Sequence, residues 1–235
     1  MKKILVTRPW VDAITTSQKL ENLGFATTVC PLISLNKIKY NLENKFDPDL
    51  LIFSSKNSVR FFKGARYINK TVFSIGEGTL KELKIKKFKK IYNADGNAKK
   101  ILEKFDENYG KRKLKILHPC GTNIKKDFKD YFSMQGSKYL QLPVYSLKKQ
   151  VKDPKLFKDF FENNGKIVTL FSQYTAESFI ESLYKFKLDK IQNEIYIIGI
   201  SKSILVYLKK YKFKDILISP KPNEKHLINI LKKKF

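Results

Sequence analysis

An internal repeat limits the possible folds of this chain most. Residues 2–34, KKILVTRPWVDAITTSQKLENLGFATTVCPLIS, run in step with residues 114–146, LKILHPCGTNIKKDFKDYFSMQGSKYLQLPVYS. At a constant offset Ile4 falls on Ile116, Leu5 on Leu117, Gly24 on Gly136 and Pro31 on Pro143. Self-similarity of this length marks a duplicated supersecondary unit. Each copy reads as strand, loop, helix, glycine, strand, proline. The apolar run Ile4–Val6 predicts a strand buried on both faces. Ile14, Leu20 and Leu23 in one copy, and Ile124, Phe128 and Phe132 in the other, suit one face of a helix. Gly24 and Gly136 stand where a chain leaving a helix turns left-handed.

Two further pairs extend the repeat. Asp49–Val59 resembles Lys166–Ala176, so that Ser55 falls on Ser172 and Phe62 on Phe179. Thr71–Gly76 resembles Glu194–Gly199, with helices predicted to begin near Thr79 and Ser201. Each copy then closes with a short strand (KKIYN, KDILIS) and a helix, over 97–109 and 224–234. Strands alternating with helices imply parallel sheets with right-handed crossovers. The fold class is therefore α/β, with ten strands split five and five into two flavodoxin-like parallel sheets. No Gly/Ser- or Pro-rich linker is visible, and the boundaries fall in the extended stretches Ile33–Tyr40 and Pro143–Val151.

The formal net charge of +26 invites a polyanionic partner. Among 48 basic residues only Arg8, Arg60, Arg66 and Arg112 are arginines. Readers of bases and phosphates favour the planar fork of arginine, so the charge argues for no nucleic-acid partner. Lysine, isoleucine, asparagine, tyrosine and phenylalanine are all abundant, as AT-rich coding would produce. A basic surface still steers small anions. The N-terminal apolar run is too short for a signal peptide, and no run approaches the ~18 residues of a membrane span. A cytoplasmic chain with no membrane association is expected. Cys30, Cys120, His118 and His226 give no metal-ligand spacing, so no metal is expected.

In an open parallel sheet, ligands bind outside the carboxyl ends of the strands. The loops there are Thr7-Arg8-Pro9, Ser54-Ser55-Lys56-Asn57, Gly76-Glu77-Gly78-Thr79, His118-Pro119-Cys120-Gly121, Ser172-Gln173-Tyr174-Thr175 and Gly199-Ile200-Ser201-Lys202-Ser203. Several lead straight into helices, whose free N–H groups and positive dipole ends favour anions. Ser, Thr and Asn cap helices routinely, but the same chemistry at equivalent places in both halves points to function. P-loop, dinucleotide and nucleophile-elbow signatures are missing. Neither histidine has an evident Ser or Asp partner in the sequence.

Taken in order, Ile4-Leu5-Val6-Thr7-Arg8-Pro9, Pro31-Leu32-Ile33, Phe53–Val59, Ile75-Gly76 with Thr79, Pro143-Val144-Tyr145, Phe171–Phe179 and Ile198-Gly199 resemble the uroporphyrinogen-III synthase family. The resemblance implies two α/β domains joined by a two-stranded linker. One is discontinuous (1–35 plus 150–235), the other inserted (38–146), with linkers at 36–37 and 147–149. It implies closure of hydroxymethylbilane, which carries eight carboxylates, to uroporphyrinogen III. Water is lost and the last pyrrole ring is inverted. No cofactor is implied, and a monomer is expected. Tyr145 matches the family's tyrosine at the end of the inserted domain and is the expected catalytic residue. Arg8, Ser54, Ser55, Lys56, Asn57, Gly76, Gly78, Thr79, Ser172, Gly199, Ser201 and Lys202 are the expected substrate binders. Ser201-Lys202-Ser203 replaces the family's usual Thr-Thr-Ala, and Gln173-Tyr174 stands where a proline is common. A non-catalytic bilobal anion-binding module and a basic nucleic-acid-binding protein are the alternatives.

Overall fold

The apolar triplets of the repeat become the central strands of two sheets. The computed structural model describes residues 1–42, 46–94, 98–123 and 128–235. In chain order the first half contains β1 (Lys3–Val6), α1 (Trp10–Glu21), β2 (Ala26–Val29), β3 (Ile33–Lys37), β4 (Leu50–Phe53), α2 (Lys56–Phe61), β5 (Thr71–Ser74), α3 (Glu77–Ile85), β6 (Lys90–Asn93) and α4 (Ala98–Tyr109). The second half contains β7 (Lys115–Gly121), α5 (Lys129–Met134), β8 (Lys138–Lys149), α6 (Pro154–Glu162), β9 (Ile167–Leu170), α7 (Gln173–Lys185), β10 (Tyr196–Gly199), α8 (Lys202–Leu208), β11 (Asp215–Ile218) and α9 (Glu224–Lys234). Two compact units result. The first is Met1–Ser34 with Lys148–Phe235, and the second is Leu35–Leu147.

The first unit holds a five-stranded sheet in the order β2-β1-β9-β10-β11, with its pairs parallel. Successive residues of β1 point to opposite faces. Ile4 and Val6 pack with Ile167 and Ile198 under α1 and α9, while Leu5 packs with Val168, Ile197 and Phe179 on the other face. Ile4, Leu5 and Val6 are all fully buried. Removing each from water contributes about 1.5–3 kcal/mol.

The second unit holds a sheet in the order β3-β8-β7-β4-β5-β6. From β8 to β6 this is the strand order of the first sheet, with β7 and β8 standing for β1 and β2. The chain enters that order at its third strand, which is why the repeat looks permuted in sequence. The two faces again alternate. Leu51, Phe53, Val72 and Leu117 line one core, and Leu50, Ile52, Phe73 and Ile116 the other.

The repeat extends to its helix ends. Gly24 (φ 83°) and Gly136 (φ 70°) both take the left-handed conformation. The next amide closes back over the last turn in each copy, Phe25 N–H to Leu20 O at 3.2 Å and Ser137 N–H to Phe132 O at 2.9 Å. These bonds satisfy carbonyls that a helix end leaves open. Phe128 and Phe132 are buried as their spacing predicts. Ile124 lies outside the described residues.

The even five-and-five split needs correcting, since there are eleven strands among the described residues. The stretch beginning at Ile33, read as an extended boundary leading into a two-stranded linker and not counted among the sheet strands, forms β3 beside β8, with the Ile38 N–H donating to Val144 O at 3.0 Å. An extended segment lying along an open sheet edge pairs its amides there instead of leaving them unmatched. Strand β8 is twelve residues long and contains Pro143 opposite Cys120. Its register with β7 shifts between Cys120 and Gly121, so that Gly121 faces Tyr145 and Val144 is the extra residue. A bulge of this kind turns consecutive side chains to one face. Val144 and Tyr145 accordingly join the same core cluster. Among the described residues no helix is long and apolar enough to cross a membrane.

Candidate active site

In the second unit the carboxyl ends of β4, β5 and β7 gather one set of expected residues. Ser55 caps α2, its Oγ accepting from Asn57 N–H at 3.1 Å. The Tyr145 hydroxyl lies 3.1 Å from the same Oγ. Because the Ser55 oxygen already accepts one N–H, its own proton can go to the phenol oxygen, and the phenol proton is left to face a ligand. The Tyr145 ring stacks on Phe61, with centroids 5.7 Å apart and 21° between planes. Gly121 also lies close to the ring, for an added Cβ there would be 2.8 Å from Cζ and 3.0 Å from the hydroxyl. Burial raises the Tyr145 pKa above the usual 10, the Ser55 hydrogen bond opposes this, and Cys120 adds slightly to it. At neutral pH the phenol therefore keeps its proton, which is the state a proton donor needs.

The other residues of this set surround the same strand ends. Gly76 (φ 79°) precedes α3 and is followed by Gly78 and the nearly buried Thr79, whose N–H donates to Gly76 O at 3.2 Å. The position of Gly78 faces the stem of Lys56, an added Cβ lying 3.7 Å from its Cδ. The Asn57 side chain accepts from Arg60 at 3.3 Å. Ser54 has a partner that the sequence reading missed. Its Oγ is 2.9 Å from Nε2 of His118, whose Nδ1 is 2.6 Å from the Tyr139 hydroxyl. This corrects the expectation that neither histidine has a serine partner. His118 is fully buried, and β7 runs directly beside β4. Strand adjacency is the signal that would have found the contact. A buried imidazole needs both ring nitrogens matched, and Ser54 and Tyr139 match them.

The first unit presents the equivalent edge. Ser172 caps α7, accepting from Thr175 N–H at 3.1 Å, as Ser55 caps α2. Ser201 precedes α8, and its hydroxyl meets that of Ser203 at 2.9 Å, with no cap bond from its side chain. Gly199 ends β10 in close contact with its neighbours, for an added Cβ would lie 2.7 Å from Cδ1 of Ile218. Lys202 is exposed in the first turn of α8. Arg8, expected as a direct binder, is engaged internally. It donates to Glu224 at 2.7 Å and Thr16 at 2.8 Å, lies 3.8 Å from Asp12, and stacks over Phe171 at 4.0 Å. Glu224 also receives Lys19. Burial alone would raise the Glu224 pKa, but the bonds from Lys19 and Thr16 and the charge of Arg8 bring it below 4.5. The carboxylate is thus held charged by three partners, and Arg8 serves mainly to fix the turn after β1 to α9.

No group of three or more His, Cys, Asp or Glu side chains that could hold a metal occurs among the described residues. The HEM4 family model, described as uroporphyrinogen-III synthase HemD, matches residues 14–229. The chain belongs to the uroporphyrinogen-III synthase family. Members of this family are cofactor-independent cyclising lyases of haem biosynthesis that act on hydroxymethylbilane, and this is the reaction assigned to the chain. Among solved structures it is similar to the uroporphyrinogen-III synthetase of Helicobacter pylori 26695, at 17% identity and a TM-score of 0.67, covering 98% of this chain and 97% of that one. A mutant uroporphyrinogen III synthase from the extremely thermophilic bacterium Thermus thermophilus is similar at 11% identity and a TM-score of 0.59, covering 99% and 98%. At such identities the likeness shows the fold alone. No curated protein matches the sequence significantly.

Proposed function

We propose that Tyr145 is the proton donor of the cyclisation. In this reading the C–O bond of the hydroxymethyl group breaks, the phenol proton passes to the departing oxygen, and water leaves. The phenolate left behind keeps the hydrogen bond from Ser55 and regains its proton from the one released when the new ring is closed. The carbon centre, left as an azafulvene-like cation, is attacked by the substituted carbon of the last ring, and the resulting spiro intermediate rearranges. The observation that carries the reading is the 3.1 Å contact between Tyr145 and a Ser55 oxygen that already accepts from Asn57 N–H.

The helix starts at Ser54–Asn57, Gly76–Thr79, Ser172, and Gly199–Lys202 are proposed to bind the substrate carboxylates through backbone N–H groups, with Lys56 and Lys202 adding charge. Support comes from the equivalence of Ser55 and Ser172 as caps in the two copies of the repeat. A single chain carrying both copies is proposed to suffice as a monomer, with no nucleic-acid partner. Cys30 and Cys120, both buried and neither in a disulfide, suit a reducing compartment such as the cytoplasm.

The test supplies hydroxymethylbilane to Tyr145→Phe and resolves the product isomers. General-acid assistance contributes about 10²–10⁴-fold, so formation of isomer III should fall by that order while the fold persists. Undiminished turnover of Tyr145→Phe overturns the assignment.

A further inference from the structure

A cavity of about 640 Å³ opens in the second unit, at the C-terminal ends of α2 and α3. That volume lies within the range of small-molecule sites. Its wall is unusual in two respects. Lys37, Arg60, Lys63, Arg66 and Lys86 all line it, and no carboxylate does so among the described residues. Arg60 is paired with Glu82 at 2.8 Å, which leaves the other four cations to face a ligand. Phe61, Phe62 and Phe88 supply its apolar surface. Two of these rings are buried and held in place, Phe62 by stacking on Tyr40 and Tyr67 and both by edge-on contacts with Phe53 at 5.6 and 5.9 Å. The third ring, Phe61, is the one that stacks on Tyr145.

Lys86 is the central cation. Its Nζ donates to Arg60 O at 3.0 Å and Phe62 O at 2.8 Å, closing the carbonyls that end α2. An ammonium has three N–H groups, so one is left for the cavity. Burial pushes the Lys86 pKa down, with the Glu82 charge opposing it, so an anion seated here would offset a desolvation already incurred.

We propose that this cavity binds a planar, carboxylate-bearing aromatic ring, whose face meets the half-buried Phe61 and whose acids meet the four cations. Two sources share that chemistry. One is a pyrrole ring of the substrate, a branch that rests on the active-site reading above. The other is a separate small aromatic acid.

The full chain should be titrated by calorimetry with pyromellitate, a planar benzene tetracarboxylate, and with its saturated cyclohexane counterpart of equal charge. Pyromellitate should bind and the puckered analogue should bind markedly less. Two variants keep the result interpretable: Lys86→Met, and the paired change Lys37→Met with Lys63→Met at exposed positions that the fold does not need. Loss of one charge-assisted hydrogen bond should weaken pyromellitate about tenfold in Lys86→Met, and loss of two cations at least as much in the paired variant. A raised KM for hydroxymethylbilane in Lys86→Met, with competition by pyromellitate, identifies the ligand as a substrate ring. An unchanged KM with the same binding loss identifies a separate acid. Equal binding of the two tetracarboxylates, or wild-type affinity in both variants, overturns the proposal. The binding measurement involves no turnover, so its failure is distinguishable from failure of the proton-donor role of Tyr145.

Discussion

Gly121→Ala tests whether the position of the Tyr145 hydroxyl matters to the reaction. The added methyl would lie 2.8 Å from Cζ and 3.0 Å from the hydroxyl oxygen, where ordinary contact begins near 3.4 Å. The ring must therefore give way by about 0.6 Å. Phe61 backs it on one side and Ser55 holds the hydroxyl at 3.1 Å, so there is little free travel. A shift of that size carries the hydroxyl to the edge of hydrogen-bond reach. Overpacking of this kind costs about 1–3 kcal/mol, and misplacement by about 1 Å can cost about 10²-fold in rate. We expect a lowered melting temperature together with a fall of about tenfold or more in isomer III formation. The assay feeds hydroxymethylbilane, oxidises the products and separates the two uroporphyrin isomers, beside a thermal melt. A lower melting temperature with undiminished isomer III would refute the reasoning, because the phenol would have moved without consequence.

Other outcomes follow from the same contacts. Glu224→Gln should destabilise the first unit by about 1–3 kcal/mol at pH 7, since Arg8, Lys19 and Thr16 all lose a charged acceptor. The folded carboxyl titrates below 4.5, so its contribution is present above that pH and is lost as pH falls through the lowered value. Urea unfolding at pH 7 and pH 3 should show the gap to wild type closing in acid. His118→Leu removes the imidazole that bonds both Ser54 and Tyr139 and should cost about 1–3 kcal/mol, read in the same unfolding assay. Cys30, whose thiol burial pushes up to about 11, should resist iodoacetamide at pH 8 until the chain is unfolded, as labelling followed by mass spectrometry will show.

What the sequence made legible was periodic or repeated. Ile4, Leu5 and Val6 announce a doubly buried strand, and the left-handed Gly24 and Gly136 are where the repeat puts them. Less legible was whatever depends on contacts between distant residues. Arg8 looked available in its loop, and only the fold brings it to Glu224, 216 residues away. His118 and Ser54 are 64 apart and meet because β4 lies beside β7. The bulge opposite Gly121 was hidden because a one-residue register shift leaves no mark in composition. The cationic cavity was hidden for the opposite reason, since lysine is so common in this chain that no cluster of it stands out.

The broken course of the first unit has a consequence for synthesis. Thr169 bonds the carbonyl of Leu5 across 164 residues. On the ribosome β1 must therefore wait for β9, while the second unit emerges whole between them. That unit carries two apolar clusters of its own. It is thus equipped to fold first, leaving the N-terminal βαβ segment as an unpartnered sheet edge until the C-terminal third arrives. Chaperone demand and aggregation during expression should accordingly track residues 1–34, however stable the finished protein is.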